Sequence, residues 1–196
     1  PADFNATERE YLQYIVAEIF PVLKAENLTN RIDIFIEDSA FNVEDSAWFL
    51  SEALKQGFEI TVHADQFSAG GSEVAINAGA LSAEHLEASG EKEIELLANS
   101  ETVATVLPGA SLGLGMHFAP ARKLLDSGCC VAIASDWNPG SAPMGDLLLQ
   151  TALLGAYEKL TLTECLTGIT VRAAKALNLK DRAILKKGFL ADFQSY

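Results

Sequence analysis

The residues best suited to chemistry are two histidines and an aspartate that recur at matching points of an alternating pattern. The sequence holds three histidines, His63, His85 and His117. His63 closes the run Glu59-Ile60-Thr61-Val62-His63, and His85 follows 22 residues later at the end of the next apolar stretch. Asp136 closes a further run, Val131-Ala132-Ile133-Ala134-Ser135. Imidazole nitrogens with one carboxylate suit Zn²⁺ or iron, and such a site keeps a position open for water. A divalent ion lowers the pKa of that water and polarises a carbonyl, which is what amide hydrolysis requires. Taken singly, a strand-end histidine is more often hydrogen-bonded structure than ligand, and a strand-end aspartate commonly caps the next helix. Recurrence at the ends of separate runs is what favours a shared site. His117 has no matching position and is read as structural, and Asp65 receives no role.

Such residues need elements that bring distant segments together. Short β-branched runs at 32–37, 59–64, 80–86, 102–107 and 130–135 alternate with amphipathic stretches at 44–56, 72–78, 91–99 and 120–126. Strand starts recur every 21 to 28 residues, the cadence of βαβ units in a parallel sheet. Longer helices are expected over 7–26 and 163–176, the second starting near Thr163, and Ser72 is a candidate helix cap. A closed (β/α)₈ barrel and an open doubly wound sheet share this cadence. No G-x-G-x-x-G follows the first strand. Pro108-Gly109-Ala110-Ser111-Leu112-Gly113-Leu114-Gly115 lacks the Gly-Lys-Ser/Thr of a phosphate loop, so it is read as a flexible βα loop. Strand after strand ends in polar groups: Glu37-Asp38, His63 to Gln66, Glu84-His85 and Asp136. A barrel builds its site from several strand ends, an open sheet from one switch point, so the expected fold is α/β of the TIM-barrel type.

Composition narrows the function classes. A formal net charge of −13 repels phosphate backbones and anionic lipid, which argues against nucleic acid or membrane and says little about a small-molecule substrate, because a local pocket can oppose the global field. No apolar run approaches the ~20 residues that span a bilayer. The first residues form no signal peptide, so a cytoplasmic location is expected. Cys129, Cys130 and Cys165 form no C-x-x-C and are read as reduced thiols.

Four segments carry a family resemblance: Val62-His63-Ala64-Asp65-Gln66, Ser82-Ala83-Glu84-His85-Leu86-Glu87, Val106-Leu107-Pro108-Gly109-Ala110 and Ser135-Asp136-Trp137-Asn138-Pro139-Gly140-Ser141. In order and spacing they resemble the imidazolonepropionases of the amidohydrolase superfamily. Thr170-Val171-Arg172-Ala173-Ala174-Lys175-Ala176-Leu177 and Gly188-Phe189-Leu190-Ala191-Asp192-Phe193 resemble the superfamily's closing pattern. The resemblance implies a metallo-dependent hydrolase barrel, with this chain holding about strands four to eight as a single domain over 1–196. It implies hydrolysis of 4-imidazolone-5-propanoate to N-formimidoyl-L-glutamate, in histidine degradation, with one Zn²⁺ or iron ion. His63 and Asp136 would be metal ligands on the fifth and eighth strands. Asp136 would also take a proton from the attacking water, and His85 would hydrogen-bond that water or the developing oxyanion. Asn138, Gly140 and Ser141 would contact substrate. Gln66 would orient the ring without acting as acid or base.

The family's His-x-His metal pair does not occur in this sequence. The expectation is a chain that begins after the third strand and stops before a small β-sandwich domain, inactive by itself. Arg182 stands where the family's closing loop usually has glycine. Two alternatives stay open: a related enzyme acting on another cyclic amide or amidine, and a non-catalytic module whose exposed sheet edges pair with another chain or copy.

Overall fold

The structure, a computed structural model, describes residues 4–38 and 40–192. Of the residues singled out above, Phe193 lies outside them. Five strands, β1 (Arg31–Phe35), β2 (Glu59–Ala64), β3 (Ser82–His85), β4 (Val103–Val106) and β5 (Val131–Ile133), form one parallel sheet in the order β1-β2-β3-β4-β5. Sequential order is the winding of a barrel wall, whereas a doubly wound sheet reverses direction at a switch point. β2 to β5 fall inside the expected runs, and β1 begins one residue before its run.

Among the described residues, ten α-helices accompany them. α1 (Glu8–Tyr14) and α2 (Phe20–Ala25) precede β1, α3 (Val43–Lys55) joins β1 to β2, and α4 (Gly71–Asn77) joins β2 to β3. α5 (Glu91–Ala98) leads to β4, α6 (Pro108–Leu114) and α7 (Ala121–Asp126) lead to β5, and α8 (Leu147–Tyr157), α9 (Leu162–Gly168) and α10 (Val171–Ala176) close the series. The expected helix over 7–26 opens on a Thr7–Glu10 capping box and is interrupted by a π-helical segment, Ile15–Ile19. Pro21 follows at the start of α2 and has no N–H to return to the preceding turn.

Period-two burial separates the two faces of the sheet. Ile32, Ile34, Ile60, Val62 and Ala64 are buried against the helices. Phe20, Phe49 and Phe58 add an aromatic cluster behind β1 and β2, with ring centroids 4.9 and 5.4 Å from Phe20. The alternate residues Asp33, Thr61, His63, Ser82, Glu84 and Thr105 face the concave side, where the strand register places them side by side.

Several expectations are corrected. The stretch Pro108–Leu114 is helical, with Pro108 in its first turn and Gly115 in the left-handed C-cap position at φ 66°. Its internal glycines serve close packing. A Cβ on Gly109 would meet the Ser135 carbonyl and lie 2.8 Å from Gln150 Oε1, and one on Gly113 would collide with the Ser141 carbonyl. Ser72 does not cap α4. Gly70 occupies the cap position, and the Asp65 carboxylate accepts from the Gly70 and Ser72 amides at 2.9 and 3.1 Å.

The helix expected over 163–176 is two helices, and Thr161, with Glu164 in a capping box, starts the first. α9 lies against Ile133 through Gly168, whereas α10 packs on Val103 and Ala132 of the concave face, so the chain passes around β5 at Ile169-Thr170. α8 was not anticipated, because its run of leucines carries no amphipathic period. Among the described residues, no helix is long and apolar enough to cross a membrane.

Candidate functional site

The concave face encloses a cavity of about 430 Å³, lined among others by Asp33, His63, Glu84, Thr105 and Asp136. Its polar lining runs along the strands from Arg31 and Ser82, and His63, Glu84 and Asp136 stand near or beyond the C-terminal ends of β2, β3 and β5, the end from which barrel enzymes build their sites.

His63 is the centre of this group. Its Nδ1 lies 2.7 Å from Asp33 Oδ2, a close ion-pair contact that lacks the angle of a hydrogen bond. The other Asp33 oxygen accepts from Thr61 Oγ1 at 2.9 Å. The Asp33 carboxylate beside it raises the His63 pKa above its ordinary value against the opposing effect of burial, with smaller contributions from Glu84 and Asp136. Glu84 is the register neighbour of His63 on β3. It accepts from the Val62 amide at 3.1 Å and from the Ser82 hydroxyl. Burial pushes its carboxyl up to about 7.

His85 reaches the site by a different route. Register pairs it with Ala64, on the helix-facing side, yet its ring centroid lies 5.4 Å from that of His63. The backbone makes this approach through two consecutive positive φ angles, 81° at His85 and 72° at Leu86. Phe35 completes a cluster of three rings, 6.0 Å from His63 and 6.4 Å from His85.

After β5, Asp136 adopts φ 50° and the chain turns into a short loop held by one side chain. Asn138 Oδ1 accepts from the Gly140 and Ser141 amides, both at 2.8 Å. Its Nδ2 donates to the Asp136 carbonyl at 2.7 Å and to Ser141 Oγ at 2.9 Å. Ser141 Oγ in turn donates to Asp136 Oδ2 at 3.3 Å. Asn138 therefore spends its polar atoms on shaping the loop that presents Asp136.

The structure thus gathers His63 and Asp136 on one cavity, His85 beside His63, and Asn138, Gly140 and Ser141 around Asp136. Gln66 is buried at the turn after β2 and does not line the cavity. Two other strand-end carboxylates brace loops. Glu37 accepts from the Phe67 and Ser68 amides and the Ser68 hydroxyl, and Asp65 holds the start of α4 and Ser89 Oγ. His117 is exposed, away from the cavity lining.

Asp33 and Glu84 are the residues sequence reasoning missed as members of the site. The signal was present: each is polar at the inward position of a strand, two residues from another polar or aromatic inward residue. One nitrogen of His63 and one oxygen each of Asp33 and Glu84 lie within 4.8 Å of one another. Among the described residues, His63 Nδ1 is buried without a hydrogen bond. An imidazole among carboxylates is the donor chemistry that zinc and iron accept, so the cavity around His63 fits a divalent ion. Asp136 stands on the same cavity but outside that tight trio.

Comparison with known proteins agrees with this geometry. An imidazolonepropionase of Deinococcus deserti is 46% identical over 194 residues, covering 98% of this chain and 48% of the relative. Those of Deinococcus radiodurans and Bdellovibrio bacteriovorus are 48% and 42% identical, over 94% and 92% of this chain and 46% and 43% of the relatives. The chain therefore spans about half the length of the curated relatives it matches. Among solved structures, atrazine chlorohydrolase TrzN from Arthrobacter aurescens TC1 complexed with zinc superposes with a TM-score of 0.73 at 18% identity, over 92% of this chain and 46% of that one. A zinc-bound adenosine deaminase from Xanthomonas campestris gives 0.64 at 20% identity, over 79% of this chain and 40% of that one. These likenesses show a shared barrel fold. The model of the amidohydrolase family matches residues 28–195, and the chain belongs to that family.

Proposed function

We propose that this chain contributes one half of the active site of an imidazolonepropionase, which opens the cyclic amide of 4-imidazolone-5-propanoate to give N-formimidoyl-L-glutamate. The observation that carries this reading is that His63, near the end of β2, and Asp136, just after β5, line one cavity on the concave face of the sheet. The imidazolonepropionase relatives at 40–48% identity supply the substrate.

A bound divalent ion, zinc or iron, supplies an acidified water and a polarised carbonyl. His63 and Asp136 are the residues of this chain that would hold it. Asp136, steadied by Ser141, accepts the proton from the attacking water and returns it to the departing ring nitrogen. His85, beside His63, accepts a hydrogen bond from the attacking water and orients it. Gln66, a neutral amide buried off the cavity lining, takes no proton. The loop shaped by Asn138, with Gly140 and Ser141, faces the substrate. A cytoplasmic setting and a small-molecule substrate accord with the acidic surface, and a homo-oligomer is compatible with it.

His63 and Asp136 are fewer donors than the three of a catalytic zinc site, so the 196-residue chain by itself is expected to bind zinc weakly and not to turn over. The test is a chimera in which this chain replaces the matching stretch of the Deinococcus deserti relative. It is expected to hydrolyse 4-imidazolone-5-propanoate, and His63→Ala or Asp136→Ala is expected to abolish turnover. A folded, zinc-loaded chimera with no hydrolysis of this substrate overturns the reading.

A further inference from the structure

Behind the ring cluster lies a carboxylate that the proposed chemistry does not use. The Glu87 side chain is only 3% exposed and that of His85 only 4%. A buried carboxylate needs partners for its oxygens. Glu87 Oε1 accepts a hydrogen bond of 2.7 Å from Ser111 Oγ. Glu87 Oε2 has no hydrogen bond among the described residues, and neither has the buried Nδ1 of His85. These two atoms face each other across 3.7 Å. A shift of roughly 1 Å would close the gap to a charge-assisted N–H···O bond of about 2.8 Å.

The backbone points the same way. Positive φ at two consecutive non-glycine residues, His85 and Leu86, is strained and persists only where surrounding contacts enforce it. This conformation is what turns the His85 ring off its register position and toward His63. Ser111 comes from the glycine-rich helix α6. That helix approaches the strand ends closely because Gly109 leaves no Cβ between it and the Ser135 carbonyl.

We propose that Glu87 is a positioning residue for His85. Ser111, Glu87 and His85 form a buried chain that keeps the imidazole proton on Nδ1 and leaves the Nε2 lone pair for the reacting groups. No bond changes in this arrangement; it selects one tautomer and one ring orientation, as partners of functional histidines generally do. It deepens the reading of His85 given above and rests on it for its catalytic meaning, although the tautomer itself does not.

Long-range ¹H–¹⁵N correlation spectra of the ¹⁵N-labelled 196-residue chain, without metal or substrate, read the tautomer directly, with His85→Gln providing the assignment. The expected result is the Nδ1–H form for His85. In Glu87→Gln the amide can donate to Nδ1, and the Nε2–H form is expected to appear. An Nε2–H tautomer in the unsubstituted chain, or a folded Glu87→Gln variant with an unchanged His85 spectrum, overturns the proposal. In the Deinococcus chimera, Glu87→Gln is expected to lower kcat on the order of 10–100-fold, with KM and metal content retained and partial recovery in Glu87→Asp. An unchanged kcat counts against the positioning role. A chimera inactive before any substitution would instead sink the functional reading, while the tautomer measurement still decides this one.

Discussion

Asp33 Oδ2 stands 2.7 Å from His63 Nδ1 while its other oxygen accepts from Thr61 Oγ1. The contact joins the inward positions of β1 and β2 and defines which face of the imidazole is left for a ligand. With the proton drawn to Nδ1, Nε2 is the free nitrogen. Asp33→Asn is therefore expected to mix the His63 tautomers in ¹⁵N spectra and to weaken zinc binding in the chimera about 10–100-fold. Equal zinc affinity in the two proteins, measured by competition with a chromogenic chelator, would show that Asp33 does not orient His63.

Asn138 makes four hydrogen bonds within the loop that carries Asp136. Asn138→Ala leaves those groups to find other partners, at an expected cost of about 1–3 kcal/mol in urea unfolding. Asn138→Asp keeps the acceptor for the two amides but loses both donations and sets a second carboxylate near Asp136. Both variants are expected to reduce hydrolysis by the chimera. Full stability and activity in Asn138→Ala would mean the loop is held elsewhere.

Gly113 faces the Ser141 carbonyl so closely that no Cβ fits. Gly113→Ala is expected to displace the loop and to destabilise by about 1–3 kcal/mol. Its amide shifts should concentrate at Asn138 and Ser141. Gly115→Ala is the control: it meets no atom within 4 Å but occupies φ 66°, so it should cost about 1 kcal/mol and leave the loop shifts alone.

Acid stability should depend on Arg122. Its guanidinium makes two bonds of 3.0 Å to Glu164 and holds that carboxyl at about 2, below the ordinary 4.5. A depressed folded-state pKa stabilises the protein above the unfolded value, and the contribution is lost as pH falls through the folded one. The pair should thus add stability above about 4.5 that disappears on acidification toward about 2. Arg122→Met is expected to flatten this part of the stability–pH curve, read by urea midpoints at successive pH values. A curve of unchanged slope would refute the assignment.

Much of the wall was legible in the sequence because strand and helix periods are local properties. The five apolar runs and their even spacing located the five strands among the described residues, and polar strand ends indicated a barrel. His63, Asp136 and the loop after β5 were visible for the same reason: each interrupts or ends an apolar run. Glu84 and Asp33 were in plain view but looked like ordinary strand polarity, because their meaning lies in cross-strand register. Only the tertiary structure showed that Phe35, His63, Glu84 and Thr105 stand side by side on the concave face. The glycines of 108–115 suggested flexibility when read alone, and packing against Ser135 and Ser141 made them a close-fitting helix. His85 illustrates the division most clearly. Its type and strand-end position marked it as functional, but two left-handed residues and a buried glutamate decide where its ring points, and neither is written in a local period.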